Sequence, residues 1–170
     1  GRHGLRAFLP RRDGFTFTLY QGTPASRGCV SLRSADPADA PVIEPGYLED
    51  GRDLDVLTDA IGRLREILAR SGFASSLEEL APGPQVVTRD ELAAAIRAGL
   101  GNSYHQSGTC AMGGEGAATD PRLRVRGIEG LRIADASVVP ALPNTALHGP
   151  VMMIGEKAAA MIAEDDGLAP

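Results

Sequence analysis

The sequence predicts an α+β fold, an antiparallel sheet with helices, in which short strands come before the helices rather than alternating with them. Apolar and polar residues alternate in residues 15–20 and again in 28–33, as expected for half-buried strands. Helical spacing of apolar residues then recurs around residues 54–68, 92–96 and 154–162. The 170 residues, 43% of them hydrophobic, can form one domain of ordinary size.

The first two strand segments are predicted to form an antiparallel pair. In the first, Phe15, Phe17 and Leu19 alternate with polar residues or tyrosine, and the second places Val30 and Leu32 on one face. Glycine, proline and serine between them are typical of a connection. A proline-rich stretch, residues 36–45, then leads into the first helix.

The first helix is predicted from a single apolar stripe, formed by Leu54, Leu57, Ile61, Leu64 and Leu68. On the opposite face, acidic residues precede basic residues by four positions, as in Asp59 with Arg63 and Glu66 with Arg70. Such pairs stabilise a helix by about 0.2–0.5 kcal/mol each and mark a solvated surface.

The second helix has a recognisable start. Thr88 and Glu91 have the spacing of a capping box. In this motif the side chain of each residue accepts a hydrogen bond from the backbone N–H of the other. Leu92 and Ile96 are expected to point inward, and Gly99 to end the helix.

A glycine-rich segment follows from residue 102, with short strand candidates at 123–126 and 131–134. The last helix is predicted to begin after Gly149, because proline suits the first helical position, where its missing N–H costs nothing. Ile154, Ala158 and Ile162 form its inner stripe.

Charge and composition exclude several partners. The net charge of -5 is spread over 17 basic and 22 acidic residues without a block of either sign, so nucleic acid is not expected as a partner. No apolar run approaches the ~18 residues of a membrane span, which predicts a soluble cytoplasmic protein. Cys29 and Cys110 match no metal spacing and are expected to be reduced thiols, so no metal site is predicted.

Two of the three histidines, His105 and His148, lie in the loop-rich last third of the chain. A histidine in a glycine-rich loop can present its imidazole to a cavity, where this side chain is the usual proton acceptor near neutral pH. Spacing alone favours an ordinary hydrogen-bonded role for each. At this level the residues indicate a candidate acid/base site and nothing more specific.

Four linked motifs make the assignment sharper. The segment 105–113 reads His-x-x-Gly-Thr-Cys-x-Met-Gly, and it is followed by Asp-Pro-Arg-Leu-Arg-Val at 120–125, Arg-Ile-Ala-Asp-Ala-Ser-Val-Val-Pro at 132–140 and Pro-Val-Met-Met-Ile-Gly-Glu-Lys-Ala-Ala at 150–159. This order resembles the C-terminal region of the glucose-methanol-choline (GMC) oxidoreductases, most closely the choline-dehydrogenase-like branch. Residues 26–37 and Tyr47-Leu48 also resemble the substrate domain of that family. The resemblance extends from about Phe15 to Ile162.

The resemblance implies a catalytic role for two residues. His105 matches the family's catalytic histidine and is expected to accept the hydroxyl proton of an alcohol. His148 matches the second active-site position, where family members carry asparagine or histidine, and would orient the hydroxyl. Asn144 is a competing candidate, because residues 143–149 depart from the commoner Ser-Gly-Asn-Thr-Asn form.

The resemblance also implies FAD as cofactor, because alcohol oxidation needs a hydride acceptor that protein side chains do not provide. Asp135 and Ala136 resemble the family's return contact with the cofactor, and Gly149, Pro150 and Val151 match the start of the flavin-facing helix. The positive end of that helix would favour the anionic reduced ring. Without the resemblance, Asp135 would be taken for an acid that ends a strand.

The implied organisation is part of a substrate-binding domain at 1–101 and an active-site loop with a flavin-contacting C-terminal segment at 102–170. The Gly-x-Gly-x-x-Gly loop of a Rossmann FAD-binding domain is absent from this chain. We therefore expect the isolated chain to be an inactive fragment that needs the FAD-binding domain of the same parent protein. Exposed apolar surface around Asp135 and the last helix could drive assembly into a homo-oligomer.

Alternatives stay open at this stage. A non-catalytic binding or oligomerisation fragment could keep the fold without the chemistry, and a hydroxynitrile-lyase-type member would need the flavin without its redox state. The substrate is expected to be a small-molecule alcohol. Aromatic residues make up only 4% of the chain, so an uncharged alcohol is at least as plausible as a choline-type cation.

Overall fold

A computed structural model describes residues 14–168 and contains a two-stranded sheet and three helices. In chain order these are β1 (Cys29–Ser31), β2 (Val42–Glu44), α1 (Gly51–Ala69), α2 (Arg89–Gly99) and α3 (His148–Asp165). Two short 3₁₀ helices, Ala74–Ser76 and Ala136–Val138, lie in the connections. The α+β class predicted from the sequence is confirmed.

The sheet pairs β1 with β2 in antiparallel register, with Cys29 opposite Glu44 and Ser31 opposite Val42. The prediction that residues 15–20 pair with β1 is therefore wrong, since the proline-rich stretch provides the partner strand. Gly28 allows this pairing because a Cβ there would overlap the carbonyl groups of Glu44 and Pro45.

Residues 15–20 are exposed and form no strand in the described structure. Phe15 and Phe17 are 65% and 48% exposed, and their rings stack edge to face at 5.2 Å between centroids. Alternating sequence produces a half-buried strand only where another strand supplies backbone partners. Within residues 14–168 no strand does so.

The predicted stripe of α1 is half-buried, and α1 packs against α2. Asp50 caps α1 by accepting the backbone N–H of Arg52, and the predicted capping box of α2 is confirmed at Thr88 and Glu91. Arg89, the first residue of α2, forms ion pairs with Asp55 and Asp59 of α1. Asp59 thus reaches across to the second helix rather than pairing with Arg63.

The largest group of buried apolar residues lies in the C-terminal half. It consists of Leu123, Val138, Val139, Ile154 and Ala158, with Met112 and Ile133 packed against it. Ile154 and Ala158 come from α3, as the sequence pattern predicted, whereas Ile162, the third residue of the predicted stripe, is 43% exposed near the end of the helix. The core therefore joins α3 to the loops that carry the linked motifs.

The predicted strands at 123–126 and 131–134 pair, but only through one isolated bridge, between Arg124 and Arg132. Val125 N–H donates to the Leu131 carbonyl at 2.9 Å, and Ile133 N–H donates to the Leu123 carbonyl at 3.1 Å.

The last helix begins at His148, two residues before the predicted start, so Pro150 is its third residue. None of the helices in residues 14–168 is long and apolar enough to cross a membrane.

Candidate active site

The loop that follows His105 lies against the segment that follows Asp135. Backbone N–H groups of Gly108, Cys110 and Met112 donate to the carbonyls of Ala136, Ser137 and Val138 at 3.3, 2.9 and 2.8 Å. Gly108 has a φ of +88°, a left-handed conformation that glycine adopts without strain. Three successive bonds fix the register of the two motifs, which are far apart in the sequence.

The paired motifs are packed onto α3. Val138 is fully buried and Val139 is 8% exposed, and both contact the core that Ile154 and Ala158 of α3 help to form. Because the helix begins at His148, this packing holds the first turn of α3 and the His105 loop on one framework. The motifs that carry the family resemblance therefore form one structural unit.

His105 is half-buried and follows a residue in an unusual conformation. Tyr104 has a φ of +61°, which is uncommon for a residue other than glycine, and its side chain is 77% exposed. Among residues 14–168 the imidazole of His105 has no hydrogen-bond partner. Its orientation is therefore set by the backbone and by its neighbours in the loop.

His148 and Asn144 have different environments. His148 is exposed on the first turn of α3. The side chain of Asn144 lies close to Gly22, where a Cβ would overlap the Asn144 side-chain oxygen. Both residues are exposed, but the Asn144 side chain lies against residue 22, whereas His148 is on the helix that packs with the His105 loop.

Asp135 has a local structural role. One carboxylate oxygen accepts the backbone N–H of Ser137 at 2.7 Å, which caps the short 3₁₀ helix. The carbonyl of Ala136 accepts bonds from Gly108 and Val139. Both residues therefore shape the turn that pairs with the His105 loop, and the exposed Asp135 side chain keeps its second oxygen for other contacts.

The first turn of α3 presents backbone donors to its surroundings. The first intrahelical bond joins Val151 N–H to the Leu147 carbonyl at 2.9 Å, so the N–H groups of His148 and Gly149 have no acceptor within the helix. A Cβ at Gly149 would meet no atom within 4 Å. Free donors at the positive end of a helix, with open space beside them, favour a group that carries or gains negative charge.

Three residues near His105 could not be identified from the sequence. The Gln106 side-chain amide donates to the Tyr47 hydroxyl at 2.7 Å and to the Asn102 side-chain oxygen at 2.5 Å. Asn102 also accepts the backbone N–H of Tyr104. Tyr47 is 59 positions from Gln106, and no periodicity relates residues at such a distance.

A cleft in the described part of the chain lies away from the His105 loop. It lies between residues 124–132 and the C-terminal end of α3, and Arg132 and Asp165 in its wall form an ion pair. An 18-residue helix is about 27 Å long, so this cleft is far from His148. Within residues 14–168 no cluster of histidine, cysteine or acidic residues could hold a metal ion, and Cys29 and Cys110 are both free.

Comparison with known proteins supports the resemblance. The family model described as GMC oxidoreductase matches residues 24–155. The chain is 40% identical to an oxygen-dependent choline dehydrogenase of Rhizobium rhizogenes over 88% of its own length and 28% of that protein. It is 39% identical to an alcohol dehydrogenase [acceptor] of Pseudomonas putida, over 88% of this chain and 27% of that protein.

A solved structure shares the fold. An FAD-dependent oxidoreductase from Chaetomium thermophilum superposes with a TM-score of 0.78 at 32% identity, over 86% of this chain and 26% of that one. The chain thus spans between a quarter and a third of the proteins it matches. Because the family model covers most of residues 14–168, the chain belongs to the GMC oxidoreductase family.

Proposed function

We propose that this chain forms the substrate side of the active site in an FAD-dependent enzyme that oxidises an alcohol, either a dehydrogenase or an oxidase. One observation carries the proposal: the His105 loop is bonded to the Asp135–Val139 segment, and this pair packs on the helix that begins at His148. The alcohol and choline dehydrogenases among its relatives support the reaction class.

His105 is the general base in this proposal. An imidazole without a protein hydrogen-bond partner among residues 14–168 is available to accept the hydroxyl proton of an alcohol at one of its ring nitrogens. Removing that proton raises electron density on the oxygen and helps the neighbouring carbon to release hydride. A positioned base typically contributes about 10²–10⁴-fold to the rate.

His148 is the second catalytic residue. It is exposed at the start of α3, where the free backbone N–H groups and the helix dipole favour negative charge. An imidazole there can donate to the substrate oxygen and stabilise the alkoxide as His105 takes the proton. We prefer His148 to Asn144 because the Asn144 side chain is packed against Gly22.

The donor set fits a flavin. Gly149 provides open space, His148 and Gly149 provide free N–H groups, and Pro150 and Val151 continue the same turn. Asp135 and Ala136 would form the second contact, through the free carboxylate oxygen and the backbone of the turn. When bound, FAD would supply the acceptor for the hydride.

The FAD-binding domain of the same parent protein is the expected partner. The chain exposes 12707 Å² of surface, whereas a folded monomer of 17.7 kDa exposes about 8,000 Å². A fully extended residue exposes about 160 Å², so the 15 residues outside the described range cannot account for the excess. Met152 and Met153, on α3, are 60% and 55% exposed and would be covered by such a domain.

Anaerobic mixing of the parent protein with a panel of primary alcohols tests the proposal. We expect at least one alcohol to bleach the bound flavin. Absence of bound flavin would favour a non-catalytic module, and bound flavin that no alcohol reduces would favour a lyase-type member.

A further inference from the structure

We propose that Tyr47 and Gln106 are positioning residues for His105, joined by a hydrogen bond between two loops. The inference rests on the proposed role of His105 as the base and adds two residues that act through it. The bond between the Gln106 amide nitrogen and the Tyr47 hydroxyl is 2.7 Å long and spans 59 positions of the sequence.

The imidazole of His105 is held by few contacts apart from its own backbone. Among residues 14–168 the His105 side chain has no hydrogen-bond partner, so its direction depends on the backbone at residues 104–106. Catalytic histidines usually keep their orientation through a bond from the second ring nitrogen. In this chain the restraint acts instead on the residue that follows the histidine.

The side chain of Gln106 is hydrogen-bonded on two sides. Its amide group uses both N–H bonds, one to the Tyr47 hydroxyl and one to the Asn102 side-chain oxygen. The same Asn102 oxygen accepts the backbone N–H of Tyr104 at 2.5 Å. The residues on both sides of His105 are therefore tied to one acceptor, and Tyr47 anchors the group to a separate loop.

The loop that carries Tyr47 is rigid. Gly46 and Leu48 both have left-handed backbones, with φ of +64° and +61°. A Cβ at Gly46 would overlap the Arg27 carbonyl, and Glu49 N–H donates to the Gly46 carbonyl at 3.3 Å, so the turn is tightly packed. The backbone around Tyr47 is thus held in place between β2 and α1. Through its hydroxyl group, Tyr47 restrains the position of the Gln106 side chain.

The test is a set of kinetic measurements on the parent protein. Tyr47→Phe removes the bond between the loops and should lower the limiting rate of anaerobic flavin reduction about fivefold, which corresponds to one hydrogen bond of about 1 kcal/mol. Gln106→Leu also removes the bond to Asn102 and should lower the rate by at least as much. The double variant should be no slower than the slower single variant by more than about twofold, since both changes break the same bond. Tyr20→Phe, which removes an exposed hydroxyl from a different segment, is the matched control.

A His105→Ala background separates positioning from general damage. We expect Tyr47→Phe to have no effect there, because the variant has no imidazole to position. An equal loss in both backgrounds, or a loss no larger than that of Tyr20→Phe, would overturn the inference. If His105→Ala itself leaves the rate unchanged, the proposed function fails first, and the two failures are therefore distinguishable.

Discussion

Asp53 is the one charged side chain among residues 14–168 that is buried, with 3% of its surface exposed. It lies in the first turn of α1 and accepts the backbone N–H groups of Ala25 and Ser26 at 2.7 and 2.8 Å. Desolvation raises the pKa of this carboxyl, but the hydrogen bonds from Ser26 and Ala25 outweigh it, and the pKa lies below its usual value. The carboxylate therefore attaches the chain before β1 to the start of α1.

Replacement of Asp53 by alanine should lower the free energy of unfolding by about 2 kcal/mol, since two half-buried backbone donors lose a charged acceptor. Because folding lowers the pKa, the contribution is present at neutral pH and is lost as pH falls through the folded-state pKa, below the usual 3.8. Thermal denaturation of wild type and variant between pH 7 and pH 3 measures this. Replacement of the exposed Asp166 by alanine is the control. A wild-type advantage over Asp53→Ala that does not shrink in acid would show that the Asp53 carboxylate does not stabilise the fold.

Single residues near the site show what the sequence could and could not provide. The roles proposed for His105 and His148 come from linear motifs that keep a fixed order, which a sequence alone can show. The contact of Tyr47 with Gln106 could not be predicted, because a hydrogen bond between two loops depends on tertiary structure. The bonds of Asn102 are local, but no sequence pattern marks them. Asp53 was missed for the same reason, since its partners lie 27 and 28 positions earlier.

At the scale of elements, α2 has the start that its sequence predicted. The Thr88 hydroxyl accepts the Glu91 N–H at 3.3 Å, and the Glu91 carboxylate accepts the Thr88 N–H at 3.0 Å. Backbone bonds from Thr88 and Val87 lower the pKa of Glu91. Arg89 then joins this first turn to α1 through Asp55 and Asp59.

We expect Thr88→Ala to lower the free energy of unfolding by about 1 kcal/mol, the usual cost of a lost N-cap. Thr88→Ser keeps the hydroxyl and should retain most of the stability. Denaturant unfolding of both variants in the parent protein is the measurement. Equal stability of the alanine and serine variants would show that the cap does not stabilise the fold.

Helices were easier to predict than strands for a physical reason. A helix satisfies its backbone groups within one segment, so the stripe of α1 and the capping box of α2 were sufficient evidence. A strand needs a partner that can be anywhere in the chain, which is why residues 15–20 were wrongly paired with β1. The start of α3 was misplaced by two residues because proline is tolerated throughout the first turn.

At the scale of the whole molecule, the surface is far larger than a folded chain of this mass requires. Large apolar side chains are exposed on both the sheet and the last helix, including Ile43 at 65% and Met152 at 60%. The sequence shows that these residues are apolar. It does not show which of them a neighbouring domain would cover.

The isolated chain should therefore bind the dye ANS and form oligomers, while the parent protein at the same molar concentration should do neither to a comparable extent. Dye fluorescence and sedimentation velocity measure the two properties. A monomeric isolated chain that leaves the fluorescence of ANS unchanged would contradict the idea that a companion domain covers this surface.

We propose that His105 removes the hydroxyl proton of an alcohol. The most direct measurement is the rate of anaerobic flavin reduction by the best alcohol substrate, compared between the parent protein and its His105→Ala variant, with flavin content and thermal midpoint matched. We expect the rate of flavin reduction to be at least about 100-fold lower in the variant. A variant that binds flavin and is reduced at the wild-type rate would contradict it.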